Sequence, residues 1–105
     1  MTDAGDAFDI EAIDEVIHGR IRLGVMAYLS SAGAADFNEL KARLQATDGN
    51  LSVHLRKLED AGYVEVEKTF VGRKPRTSVT LSDKGRAAFV RYLDAMQKLV
   101  SAAGA

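Results

Sequence analysis

Only Gln45 and Ala46 separate two short stretches of helical patterning, and nothing else constrains the fold of this 105-residue chain as strongly. In the first stretch, DFNELKARL, the residues Phe37, Leu40 and Leu44 fall on one face, and Asp36 with Glu39 three residues on makes a variant of the capping box. The second, TDGNLSVHLRKLEDAG, takes Thr47 as N-cap and Gly62 as the residue just past the helix end, which leaves a helix of about 14 residues, roughly 21 Å long. Leu51, Leu55 and Leu58 recur at i, i+4 and i+7 and form its apolar stripe. So short a link makes the two helices pack against each other, the layout of a helix-turn-helix.

Opposite the leucine stripe, at 100° per residue, lie Gly49, Val53, Arg56 and Lys57, with Asn50 and Ser52 at the edges. A leucine back and a small, polar, basic front would suit a DNA major groove. They would also suit an ordinary amphipathic surface helix, and these residues alone leave both readings open.

The rest of the chain adds context. Met1 to Ala7 is small and acidic and is expected to be disordered. Ile10, Ile13 and Ile17, with Val16 beside them, predict a short amphipathic helix over 9–18 that ends near Gly19. A second helix carries Ile21, Val25, Tyr28 and Leu29 and ends in the small residues Ser30 to Ala35. Beyond Gly62 the pattern turns to period two: Val64, Val66 and Phe70 alternate with Glu65, Glu67 and Thr69, and Thr77, Val79 and Leu81 share a face in a second strand. The intervening VGRKPR has Gly72 to permit a turn and Pro75, which cannot donate to a central ladder. Ser82 caps a last helix running to about Val100, with a stripe of Phe89, Leu93, Met96 and Val100 widened by Ala88, Tyr92 and Leu99. The expected fold is mainly α with a β-hairpin, a single domain over 1–105: a winged helix-turn-helix with additional N- and C-terminal helices.

The formal net charge of −1 hides an uneven distribution. Asp3, Asp6, Asp9, Glu11, Asp14 and Glu15 crowd the first fifteen residues without a single lysine or arginine, and setting them aside leaves 14 basic against nine acidic side chains, +5 on residues 16–105. Such asymmetry fits a nucleic-acid partner as well as a solvated acidic terminus. The absence of cysteine excludes disulfides and thiolate metal sites, and His18 and His54 have no ligand spacing, so neither a metal nor another cofactor is expected. No run approaches a membrane span, and the acidic start lacks the basic and apolar parts of a secretory signal; the expectation is a cytoplasmic protein without a membrane partner. No nucleophile motif, phosphate-cradling glycine loop or paired-carboxylate pattern supports an enzyme.

Roles follow from side-chain reach. Arg56 can pair with guanine O6 and N7, Asn50 with an adenine edge or a phosphate, Ser52 with either, and Val53 with a thymine methyl. Thr47 and the free amides of the helix N-terminus suit a phosphate oxygen, and Gly49 suits close backbone approach or is a tolerated first-turn glycine. Arg73, Lys74 and Arg76 on the hairpin suit phosphates, which fix register without reading sequence. Ile10, Ile13 and Ile17 over 9–18, and Phe89, Tyr92, Leu93, Met96 and Val100 over 83–100, are the candidate dimer interface. The expected function is a sequence-specific double-stranded DNA-binding transcription regulator, a homodimeric repressor on a palindromic operator. A winged-helix protein-interaction module without DNA binding is the alternative, and an RNA-binding winged helix a more distant third.

Four segments together resemble the small, single-domain winged-helix transcription regulators of the MarR/ArsR superfamily: HGRIRLGVMAYL at 18–29, DFNELKARL at 36–44, TDGNLSVHLRKLEDAGYVEV at 47–66 and GRKPRTSVTLSDKGR at 72–86. The resemblance implies a homodimer on a palindromic operator, with Thr47 to Lys57 in the major groove and Arg73 to Arg76 as the wing. The cysteine-containing metal motif of many ArsR-type sensors is absent, which argues against metal sensing. The longer dimerisation region that shapes the ligand pocket of larger MarR-type proteins is reduced, which leaves a small-molecule effector open.

Overall fold

The computed structural model describes residues 8–104, so the terminal stretch 1–7, expected to be disordered, lies outside the described residues. Its elements run α1 (Arg20–Ala32), β1 (Ala34–Asp36), α2 (Phe37–Leu44), α3 (Asp48–Asp60), β2 (Val64–Val71), β3 (Lys74–Leu81) and α4 (Asp83–Ala102). The three strands form an antiparallel sheet in the order β1-β3-β2. Mainly helical with a β-hairpin between α3 and α4, this is the winged helix-turn-helix that the periodicities predict.

Local chemistry explains the helix ends. Asp36, Thr47 and Ser82 accept from the backbone amides of Glu39, Asn50 and Gly85, so each side chain satisfies a donor that the first turn leaves free. The Glu39 side chain does not complete the capping box by reaching back to Asp36. It accepts from the Tyr28 hydroxyl instead and ties α2 to α1. At the end of α3, Gly62 takes φ +81°, its amide reaches Glu59 O at 2.9 Å and the Tyr63 amide reaches Leu58 O at 2.9 Å, a complete Schellman motif.

Leu40, Leu51 and Leu58 are fully buried, with Val25, Met26 and Leu29 of α1, Val64 and Val79 of the sheet and Tyr92 of α4. The turn between α2 and α3 presses both helices onto α1. At Gly24 a Cβ would come within 2.6 Å of Leu44 Cδ2, so α1 and α2 meet at close range.

Four expectations need correction. The predicted N-terminal helix over 9–18 is a single 3₁₀ turn, Ile10–Ala12, followed by turns. Asp14 accounts for this: its Oδ1 accepts from the Val16 amide at 2.9 Å, a local side-chain bond that competes with helix propagation. Second, Ser30 to Ala35 is not merely a helix end, because Ala34–Asp36 adds a strand to β3. Third, the wing tip is much tighter than VGRKPR suggests. Pairing continues to Val71 and Lys74, leaving Gly72 and Arg73 as a two-residue turn with φ +64° at the glycine alone, as type II′ requires. Pro75 therefore lies inside β3, at a level that β1 does not reach, where a missing donor costs no ladder bond to a third strand.

The fourth concerns the candidate dimer residues. Ile13, Ile17, Phe89 and Tyr92 are all buried in the protomer's own core, at 8%, 0%, 7% and 2% exposure, so they hold the N-terminal segment against α1 and α4 and offer no surface to a second copy. Ile10, Leu93 and Val100 are exposed, and Met96 is half-buried.

Candidate nucleic-acid interface

Because Leu51, Leu55 and Leu58 anchor α3 from behind, its other side is presented outward by geometry alone. Thr47, Gly49, Asn50, Ser52, Val53, Arg56 and Lys57 are all exposed. Ser52, Val53, Arg56 and Lys57 surround one shallow depression, so the middle of the helix gathers a hydroxyl, an apolar branch and two cations. Thr47, Gly49 and Asn50 sit a turn away, where the first amides of α3 add their partial positive charge. A Cβ at Gly49 would meet no atom within 4 Å, so packing against α2 does not explain that glycine.

Between α3 and the hairpin runs a cleft lined by Phe37, Ser52, Leu55, Arg56, Glu59, Val66, Lys68 and Thr77. Arg56 thus has a second cation, Lys68, as its neighbour across the cleft. Simple alternation could have found Lys68, since it shares a face with Val64 and Val66, and counting in twos from either reaches it.

The wing cations divide by position. Arg73 is in the turn and Lys74 beside it, both exposed, whereas Arg76 lies further in and its guanidinium comes within 3.7 Å of the Asp36 carboxylate, the N-cap of α2. Among the described residues Arg56, Lys57, Lys68, Arg73 and Lys74 have no salt-bridge partner. Lys57 faces a different setting on its far side, a depression that also contains Glu15, Arg22 and Asp60. Asp48, in the first turn of α3, is taken up by Lys41 at 2.8 Å, which lessens its repulsion of a phosphate near the helix start.

His54 braces the helix from the side. One Arg22 guanidinium nitrogen donates to its Nδ1 at 2.9 Å, which places the imidazole proton on Nε2, while Arg22 Nε donates to Val16 O at 2.6 Å. Desolvation, followed by the Arg22 and Lys57 charges, holds His54 below the usual imidazole range. Below α3, the Tyr63 hydroxyl donates to Asp14 at 2.5 Å, and burial, with that bond, pushes it up to about 12. Both histidines serve as braces, since His18 Nδ1 lies 2.9 Å from the Tyr92 hydroxyl, and no group of three or more potential metal ligands occurs among the described residues. No described helix is long and apolar enough to cross a membrane.

A polar and basic helix face held outward beside a cation-tipped hairpin defines a winged-helix nucleic-acid-binding domain. The comparisons with known proteins agree. Residues 21–100 match the family model described as a winged helix DNA-binding domain, and the chain belongs to that family. It is 37% identical over 79 residues to an uncharacterised protein of Methanocaldococcus jannaschii, covering 75% of this chain and 86% of that one. The transcriptional regulator homologue of Pyrococcus horikoshii OT3 superposes with a TM-score of 0.79 at 32% identity, over 84% of this chain and 87% of that one. AbfR, solved bound to DNA, shares the fold at a TM-score of 0.61 and 20% identity, over 75% of this chain and 55% of its own.

Proposed function

We propose that this chain is a sequence-specific double-stranded DNA-binding transcription regulator that works as a homodimeric repressor on a palindromic operator, at the nucleoid or in the cytoplasm. One observation carries the reading: Ser52, Val53 and Arg56 share one outward face of α3, Lys68 lines the cleft beside Arg56, and Arg56, Lys68 and the wing-tip cations Arg73 and Lys74 have no salt-bridge partner among the described residues. Arg56 and Asn50 are the base-reading residues, Ser52 and Val53 complete the edge contacts, and Thr47, Gly49 and Lys57 meet the backbone at the margins. Arg73 and Lys74 bind phosphates from the wing, with Arg76 completing the row once it exchanges Asp36 for the duplex. AbfR, which shares the fold, is solved bound to DNA, and that favours duplex DNA as the partner.

The dimer rests on α4. Leu93 and Val100 are about half exposed, and together with half-buried Met96 and exposed Val90 they continue an apolar stripe past the end of the protomer's own core. Pairing these stripes about a two-fold axis would place two copies of α3 about 34 Å apart, one turn of duplex. We read it as a repressor because a dimer covering its operator would exclude other proteins from that stretch of duplex.

Titrating duplex DNA at several salt concentrations tests the reading. Affinity should fall steeply as salt rises, Arg56→Ala should relax sequence preference, and Arg73→Ala should weaken selected and random duplexes alike and reduce the salt slope by about 1 per wing. A flat slope would refute DNA binding and favour a protein partner. Light scattering tests the dimer separately: wild type should give twice the chain mass and Leu93→Glu the single mass, and a wild-type monomer at micromolar concentration would refute it.

A further inference from the structure

The outer half of the hairpin carries a feature that phosphate binding does not use. β1 covers β3 only at Ser78–Thr80, whereas β2 and β3 stay paired out to Val71 and Lys74, so the tip projects beyond the rest of the sheet. Along β2 one face holds Val64, Val66, Lys68 and Phe70, paired in turn with Leu81, Val79, Thr77 and Pro75. Near the base this face is core, since Val64, Val79 and Leu81 are buried, and midway Lys68 and Thr77 line the cleft beside Arg56. The outermost pair, Phe70 with Pro75, therefore faces the side on which α3 presents Arg56. No described residue covers it: Phe70 is 72% exposed.

We propose that Phe70, backed by the Pro75 ring, is an apolar wedge that enters the minor groove adjoining the α3 site and partly unstacks a base step there. This rests on the reading of α3 as the groove-facing helix. Minor-groove proteins insert apolar side chains between base steps in this way, and the duplex bends away from the insertion. Charge complementarity selects the occupant. Lys68 shares the face of the ring two residues further in, Arg73 is in the adjoining turn and Lys74 edges the tip from the opposite face. None of the three has a salt-bridge partner among the described residues, a setting that suits a polyanion and would have to be desolvated against an apolar protein surface. The tip is also stiff enough to transmit force, because a two-residue turn closes it and Pro75 fixes its own φ. A wedge reads deformability, so it favours flexible TA or CA/TG steps at a position that no side chain hydrogen-bonds.

The test uses the full chain on duplexes selected from a randomised pool by the wild-type protein, with unselected duplexes as the comparison. Phe70→Ala should weaken the selected duplex about tenfold, the loss expected for one largely buried aromatic side chain, and leave the salt slope unchanged. Energy transfer between fluorophores at the duplex ends should show less bending with Phe70→Ala, the preference for a flexible step at the flank should disappear, and Phe70→Leu should recover most of both. Wild-type affinity and bending with Phe70→Ala, while Arg56→Ala still relaxes base preference, would overturn the wedge and leave the α3 reading intact. If Arg56→Ala also has no effect on base preference, the α3 reading fails and the wedge with it. A fall in mass by light scattering with Phe70→Ala would overturn the wedge in a different way, by assigning the ring to a contact between copies.

Discussion

Replacing Gly85 by alanine sets two well-characterised effects against each other, and the structure decides the sign. Gly85 is the third residue of α4, where helix propensity alone favours alanine by up to about 1 kcal/mol. A Cβ there would lie 2.8 Å from the Tyr63 carbonyl carbon and 2.9 Å from its Cα, and closer still to the carbonyl oxygen. These are backbone atoms, so no rotamer change relieves the overlap. To bring even the carbonyl carbon out to ordinary contact at 3.4 Å, the chain must part by about 0.6 Å. That movement pulls at the bond from the Ser82 amide to Tyr63 O at 3.0 Å and at the bond from Ser82 Oγ to Gly62 O at 2.6 Å. Overpacking costs about 1–3 kcal/mol and a strained part-buried hydrogen bond about 1–3 more, so after a propensity gain of about 1 the net loss is about 1–5 kcal/mol. At the middle of that range, about 3 kcal/mol, Tm falls by roughly 12–24 °C for a chain of this size. Thermal melts at matched protein concentration measure it, since any dimerisation makes Tm concentration-dependent. A Gly85→Ala protein as stable as wild type, or more so, would refute the close backbone packing from which the cost is derived.

Gly49→Ala provides the opposite case, because a Cβ there meets nothing within 4 Å. It should stabilise the fold by up to about 1 kcal/mol in urea unfolding and weaken a selected duplex, and unchanged binding would remove the case for close backbone approach at Gly49. Tyr63→Phe should cost about 1–3 kcal/mol by leaving Asp14 without its hydroxyl donor, measured by the same unfolding curves. His54 is held below its unfolded value near 6.5, so the unfolded chain binds the extra proton as pH falls. Its contribution to stability is complete above about pH 6.5 and is lost as pH drops from there through the folded value. His54→Gln should remove that part of the pH dependence of the urea midpoint, and an unaltered profile would show that His54 is not its source.

Helix patterning was legible wherever one periodic stripe and one side-chain cap agreed. Asp36, Thr47 and Ser82 begin their helices as expected, and Gly62 closes α3. The sequence was misleading where local chemistry or tertiary context outweighed periodicity. The isoleucines at 10, 13 and 17 have helical spacing, but Asp14 folds the chain into turns between them, and burial of Ile13 and Ile17 is achieved without a helix. β1 is three residues long and carries alanine, alanine and aspartate, none of them a strand former, so only its pairing with β3 makes it a strand. Exposure on α4 depended on where the N-terminal segment lay, which a helical wheel does not contain. Phe89 and Tyr92 face that segment and the core, whereas Leu93 and Val100 project past it. Most of the candidate interface was visible because outward residues on a leucine-anchored helix need no tertiary knowledge to place. Lys68 and Phe70 took on meaning only once strand register put them on the α3 side of the wing.

That register also explains how the two halves of the interface keep their spacing. The Ser82 hydroxyl donates to Gly62 O, just past the end of α3, and accepts from the Gly85 amide in the first turn of α4, while the Ser82 amide binds Tyr63 O at the foot of β2. One residue therefore holds together the end of α3, the foot of the wing and the start of α4. Gly85 admits this approach because it lacks a side chain. Arg22 and His54 brace the same helix from the opposite side through the N-terminal segment. With α3 fixed at both places, its angle to α4 is set by packed backbone rather than by a flexible linker. In the dimeric reading, whatever positions the two α4 helices also fixes the separation of the two α3 helices on the duplex. Ser82→Ala removes the shared hydroxyl without adding bulk, so it should loosen this angle more than it lowers stability. On palindromes with altered half-site spacing, wild type should bind one spacing sharply and Ser82→Ala should accept neighbouring spacings more evenly. An equally sharp preference in the variant would show that the angle is held elsewhere.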